Sequence, residues 1–148
     1  MTEAPGLAVD TSVAVDTSVA VPLLVASHQQ HAGVAAWAAG RTLRLGGHAL
    51  HETYAVLTRL PGDARVGVSD AAALIEQSFA DPLVLSPVAV RDACGELASR
   101  GIAGGATYDG VVALAAREHD SVLVNSDARA APTYEALGVT VDMLVTQG

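Results

Sequence analysis

The run Val13-Ala14-Val15-Asp16-Thr17-Ser18 constrains the fold more than any other stretch, because it changes character twice in six residues. Three apolar residues without polar alternation describe a strand buried on both faces. The aspartate at its tip and the two hydroxyl residues behind it describe the start of a helix, with Thr17 or Ser18 as its cap. A second run, Ser121-Val122-Leu123-Val124-Asn125-Ser126-Asp127, has the same form: an apolar strand, then an acid three residues on. Strands of this kind, separated by helices, belong to a parallel α/β sheet covered on both sides.

The hexamer Ala-Val-Asp-Thr-Ser-Val occurs twice in tandem, so Asp10 and Asp16 compete for the strand tip. Pro22 separates them. A helix begun after Asp10 would carry the proline near its middle, at a cost of about 3 kcal/mol. A helix begun after Asp16 carries it in or next to the first turn, where the missing N–H matters least. Asp16 is therefore the expected site residue, and residues 1–12 form an N-terminal extension ahead of one domain over residues 13–148.

Within that domain the pattern predicts strands at 13–15 (with a start as early as 7), 43–45, 83–85, 121–124 and 139–141. The expected helices are 17–26, 31–39, 49–60, 70–80 (capped by Ser69), 88–100 and 107–118, with a short one from Pro132 to Gly138. The result is a single domain with a central parallel sheet of about five strands flanked by helices. A chain of 148 residues, 51% hydrophobic with only five aromatic residues, builds its core from Ala, Val and Leu. Trp37, Tyr54, Phe79 and Tyr108 are expected to pack. No apolar run approaches the length of a membrane span, and the N-terminus has no leader-like pattern. One cysteine, Cys94, excludes an intramolecular disulfide, fits a reduced, cytoplasmic setting and is expected to be a small apolar residue on a helix.

Right-handed crossovers put strand C-termini and helix N-termini on one edge of such a sheet, where ligands bind. Four acids fall on that edge: Asp16 after the first strand, Glu52 and Asp109 in the first turns of their helices, and Asp127 after the fourth strand. Singly each is an ordinary helix-stabilising acid. Together they pose an electrostatic problem, since two like charges about 4 Å apart repel by about 4 kcal/mol at an effective dielectric near 20. Some must protonate, or a divalent cation must neutralise them. All-oxygen ligands select a hard cation, Mg²⁺ or Mn²⁺, and the implied chemistry is metal-assisted phosphodiester hydrolysis.

Val15-Asp16-Thr17-Ser18-Val19, the helix from Ala49 through His51-Glu52-Thr53-Tyr54 to Pro61, Gly105-Ala106-Thr107-Tyr108-Asp109 and Val124-Asn125-Ser126-Asp127-Ala128-Arg129-Ala130 together resemble the PIN-domain ribonucleases. Within these, the chain looks like the VapC-type toxins of bacterial type II toxin–antitoxin pairs. The Thr133–Val139 stretch is also similar to that family's last helix and strand. The separations, 36 residues from Asp16 to Glu52 and 18 from Asp109 to Asp127, fit the resemblance. It implies an Mg²⁺-dependent endoribonuclease acting on tRNA, rRNA or mRNA, a homodimer, and a cognate antitoxin whose tail blocks the acidic cleft. Asp16 and Asp109 would be direct metal ligands. Glu52 would bind a second ion or orient the attacking water, and Asp127 would complete the cluster. Ser18 would steady the site. Asn125 stands where the family more often has threonine or serine, and its amide can still hydrogen-bond a carboxylate or phosphate.

Other readings meet specific obstacles. A dehalogenase-like phosphotransferase needs a second aspartate two residues after the first, where this chain has Ser18. A receiver-type phosphoacceptor needs a lysine, and there is none. Another metal-dependent phosphohydrolase and a catalytically inactive PIN-like binding module remain as alternatives, the latter opposed by four intact acids. The pairs His28/His31 and His48/His51 have helical spacing but no cysteine partners or HExxH pattern for zinc. The net charge of −8 speaks against a nucleic-acid ligand. Setting aside the four site acids leaves −4, so RNA affinity would rest on the metal and on locally grouped arginines; Arg129 or Arg59 could contact phosphate, but each is more simply a solvated surface arginine.

Overall fold

The computed structural model describes residues 12–146, so Asp10 and nearly all of the expected N-terminal extension lie outside the described residues. Four short strands, β1 (Val13–Val15), β2 (Leu43–Leu45), β3 (Leu123–Asn125) and β4 (Val141–Met143), form one parallel sheet in the order β2-β1-β3-β4. The register pairs Val15 with Leu45 on one side and with Val124 on the other, and Asn125 with Met143. The strand ends are therefore level along one edge. Val13, Val15, Leu45, Leu123 and Val124 are fully buried, as their unbroken apolar character requires. Each such side chain contributes about 1.5–3 kcal/mol by leaving water.

The α/β architecture is the expected one, with one strand fewer. Leu83 makes only an isolated parallel bridge to Gly46 beside β2. Leu83 is buried but Val84 is exposed, and Pro82 and Pro87 bracket the segment, so no ladder extends from it. The last two strands sit about two residues later than expected.

Among the described residues seven α-helices cover the sheet: α1 (Thr17–Leu24), α2 (His31–Ala38), α3 (His48–Thr58), α4 (Val68–Ser78), α5 (Pro87–Ser99), α6 (Ala106–Glu118) and α7 (Ala131–Ala136). Three details depart from expectation. Asp16, not Thr17 or Ser18, is the N-cap of α1, accepting a bond from the Ser18 N–H. Helix α1 closes at Leu24, two residues short of the expected Ala26, with Pro22 as its sixth residue, in the turn next to the first. Helix α4 starts at Val68 with Gly67 as its cap, so Ser69 lies inside it. Trp37 lies in the core, where the Arg41 guanidinium sits 5.0 Å from its ring centroid and bonds its carbonyl. Tyr54 is largely outside the core at 37% exposure, Tyr108 is exposed, and Cys94 is exposed on α5.

Candidate active site

The chain leaves β1 toward β2 on one side, and leaves β3 toward β4 on the other. The β1/β3 boundary is thus the point where the winding reverses, and a crevice opens there beyond the strand ends. Asp16 follows β1 directly and Asp127 comes two residues after β3. Helices α3 and α6 deliver the other two acids. Gly47, the N-cap of α3, has φ +54°, and a Cβ there would lie 2.9 Å from the Val111 carbonyl oxygen. Only glycine permits that approach, which seats the start of α3 against the first turns of α6. Asp109 is in the first turn of α6 as expected, whereas Glu52 is the fifth residue of α3 and so lies in its second turn.

All four acids line one small pocket of about 70 Å³, together with Thr17, Ser18, His48, Tyr108, Val112, Ala130 and Tyr134. Asp16 lies deepest, at 5% exposure. Its Oδ1 accepts from the Ser18 N–H at 3.1 Å and the Ser18 hydroxyl at 2.5 Å, and its Oδ2 accepts from the Tyr134 hydroxyl at 2.6 Å. Burial pushes the Asp16 carboxyl above its ordinary value, the Ser18 and Tyr134 bonds pull it back, and Asp109 adds repulsion. Asp109 is also raised, chiefly by burial and then by the Glu52 and Asp127 charges, with His48 and Arg129 easing the effect. Asp127 is lowered, because the Arg129 side chain and backbone N–H both donate to it.

Asn125 does not line the pocket. It is fully buried and shapes the turn behind it: its Oδ1 accepts from the Asp127 N–H at 2.7 Å and its Nδ2 donates to the Asp127 carbonyl at 2.9 Å. Ser18 ties the two strand tips together, since its Oγ also accepts from the Ser126 N–H at 2.8 Å.

Two pocket residues carry roles the sequence reading did not assign. His48 Nε2 lies 3.5 Å from Glu52 Oε2, and its ring stacks on Tyr108 at 4.4 Å between centroids. The four-residue spacing from His48 to Glu52 was a readable signal for the first contact. Tyr134 meets Asp16 across 118 positions of sequence, and no local pattern announces it. The other histidines do structural or surface work: His28 accepts from the Gln30 N–H, His31 bonds the Pro22 carbonyl, His119 bonds the Val84 carbonyl, and His51 is exposed.

The donor set is all oxygen, which suits a hard divalent cation. Thr17 Oγ1, in the same lining, is buried without a hydrogen-bond partner among the described residues, an unmet polar demand at the pocket wall. The chemistry of the pocket therefore fits Mg²⁺ or Mn²⁺. The side chains are not drawn into a cage: among the described residues no three His, Cys, Asp or Glu groups stand close enough to hold a metal ion. Glu52 is turned to His48 and Asp127 to Arg129 instead.

Fold and pocket define an α/β protein with an acidic crevice at the switch point of a parallel sheet. Residues 13–135 match the PIN domain family. Ribonuclease VapC27 of Mycobacterium tuberculosis is 55% identical over 137 residues, covering 93% of this chain and 96% of that protein. Ribonuclease VapC40 of the same organism is 38% identical over 123 residues, covering 76% and 92%. The chain belongs to the PIN domain family, in its VapC group.

Solved structures share the fold. VapBC2 from Rickettsia felis, bound to a DNA fragment from its promoter, superposes with a TM-score of 0.62 at 11% identity, over 91% of this chain and 100% of that one. VapBC-5 from Mycobacterium tuberculosis, a member of the VapBC family of toxin–antitoxin systems, gives 0.53 at 16% identity, over 90% and 97%.

Proposed function

We propose that this chain is a metal-dependent endoribonuclease and the toxin of a toxin–antitoxin pair, with Asp16, Glu52, Asp109 and Asp127 as its cutting groups. The observation that carries the reading is the meeting of these four acids, from four separate segments, in one pocket at the β1/β3 crevice. RNA as substrate draws support from the ribonuclease relative that is 55% identical over nearly the whole chain.

Asp16 and Asp109 would hold Mg²⁺ or Mn²⁺, which when bound supplies charge to neutralise the acids and to polarise the phosphate. Asp16 suits that role because three donors fix its carboxylate, leaving its remaining lone pairs for the pocket. Glu52, beside His48 on the more exposed side, would bind a second ion or orient the attacking water and accept its proton. Asp127 completes the set and carries Arg129 at the rim, where a guanidinium can meet a phosphate oxygen. Hydrolysis adds one water across one P–O bond: the water oxygen bonds phosphorus, and the ester oxygen leaves with a proton.

A protein antitoxin would neutralise the chain by covering this pocket. The toxin–antitoxin neighbours support such a partner. The resemblance to the family suggests a cytoplasmic homodimer as the form in which the chain would act. Among the described residues, no helix is long and apolar enough to cross a membrane.

The test is cleavage of a mixed tRNA, rRNA and mRNA pool by the purified chain, with Mg²⁺ or Mn²⁺ and with excess EDTA. Cleavage that EDTA abolishes and added cation restores is expected. Cleavage indifferent to EDTA, or none at saturating cation, contradicts the reading.

A further inference from the structure

The deepest acid of the pocket is held from two directions. Ser18, two residues along the chain, occupies Oδ1, while the only side chain bonded to Oδ2 among the described residues is Tyr134 of α7. The two supports differ in kind. Ser18 stands beside Asp16 at the start of α1, and its hydroxyl is held in turn by the Ser126 N–H at the β3 tip, so it fixes the carboxylate from the side of the strand tips. Tyr134 comes from the other end of the fold, and its ring is packed in the main core at 1% exposure. Its hydroxyl is thus a reference point set by the core, independent of α1.

From this geometry we infer that Tyr134 is a positioning residue for catalysis: by donating to Asp16 Oδ2 it sets the direction in which that carboxylate faces the cation and the phosphate. The inference rests on the ribonuclease reading and deepens it.

The bond has the properties the role requires. At 2.6 Å it is a charge-assisted O–H···O⁻ contact, the stronger class of hydrogen bond. The Tyr134 hydroxyl has one proton to give, and its 2.6 Å contact with a carboxylate oxygen puts it in the donor role. Tyr134 itself lines the pocket wall beside Asp16, Asp109 and Asp127. The site is consequently completed by a helix near the end of the described chain, and a correctly docked α7 is part of its geometry. Groups that orient a metal-ligating carboxylate typically change metal affinity or activity by about 10–100-fold when removed.

Tyr134→Phe keeps the buried ring and deletes only the hydroxyl. Three readouts on the full chain separate positioning from packing: Mn²⁺ binding by calorimetry, kcat and KM for RNA cleavage, and thermal midpoint. The expected result is a Kd for Mn²⁺ weakened about 10-fold or more and a kcat reduced about 10–100-fold, with KM for RNA within twofold of wild type. Mn²⁺ affinity and kcat both within twofold of wild type would overturn the inference while leaving the nuclease reading intact. Wild-type protein that neither binds Mn²⁺ nor cleaves RNA would overturn both.

A second measurement needs no variant at this position. In wild-type protein labelled with ¹³C-tyrosine, and with Tyr54→Phe and Tyr108→Phe supplying assignments, the Tyr134 ring ζ-carbon is expected to shift as Mg²⁺ is titrated. A resonance indifferent to saturating Mg²⁺ would count against the role.

Discussion

Ser18 Oγ accepts a hydrogen bond from the Ser126 N–H at 2.8 Å while donating to Asp16 Oδ1 at 2.5 Å. One hydroxyl thereby joins the tip of β1 to the tip of β3, the two strands between which the acidic crevice opens. Asn125 Oδ1 is a further acceptor at 3.2 Å, but the single hydroxyl proton goes to the nearer, charged Asp16.

Ser18→Ala removes both bonds and strands the Ser126 N–H. Ser126 is half-buried, so leaving its N–H without a partner costs about 1 kcal/mol, the low end of the range for a buried donor. A lowered urea midpoint with an unchanged m-value is expected, together with reduced cleavage, while Asp16 still caps α1 through the backbone N–H of residue 18. Urea melts followed by circular dichroism check this; an unchanged midpoint would show that the hydroxyl bridge carries no stability.

Gly47→Ala is expected to be damaging for two reasons, the positive φ of +54° and the Val111 carbonyl 2.9 Å from the new Cβ. At φ +54° and ψ −129° the backbone lies outside the left-handed helical region, and strain of this kind costs about 1–3 kcal/mol. The clash additionally displaces α3 from α6, moving Glu52 relative to Asp109, so cleavage should fall more than stability. Gly62→Ala is the matched control, with φ +58° and nothing within 4 Å of its Cβ. Gly62→Ala should lose backbone stability through its positive φ and keep full cleavage. Equal cleavage loss in both variants would remove the α3–α6 argument.

Asp109 sets a pH- and cation-dependent stability. Its carboxyl lies above its ordinary value of 3.8 in the fold. Between 3.8 and the higher folded value the native state binds more protons than the unfolded chain, so stability falls as pH rises through that window. Above it, the whole penalty is present. Asp127 runs the other way: its lowered carboxyl contributes stability above 3.8 that is lost as pH falls through its folded value. At neutral pH in EDTA, Asp109→Asn should therefore melt above wild type while losing cleavage. Mg²⁺ should raise the wild-type midpoint, as any ligand of the native state does, and leave that of Asp109→Asn nearly unchanged. Thermal scans with and without Mg²⁺ check both; an Asp109→Asn protein less stable than wild type in EDTA would deny the penalty that burial and repulsion impose on the charged carboxylate.

The sheet and the four acids were legible in the sequence because both are written locally. Unalternating runs such as Val13–Val15 declare buried strands, and the residues just past a strand or at the start of a helix must lie on the binding edge. The edge segment at Leu83 was misjudged because apolar character alone cannot say whether a partner extends the ladder, and Val84 points to solvent. The α1 cap was assigned to a hydroxyl although aspartate is as good a cap, and Asp16 serves as both cap and site acid. Tyr134 was hidden for a different reason. Its bond to Asp16 spans two ends of the chain, and only the docking of α7 on the core brings the groups together.

The most direct measurement is the single-turnover rate of RNA cleavage at saturating Mg²⁺ for wild type, Asp16→Asn, Glu52→Gln, Asp109→Asn and Asp127→Asn, with Asp10→Asn beside them. Each of the four pocket variants is expected to lose about 100-fold or more, within the range that individual proton-transfer and electrostatic groups supply. Asp10→Asn should cleave at the wild-type rate. Full activity in Asp16→Asn, or equal loss in Asp10→Asn, would contradict the assignment of the β1 tip as the centre of the site.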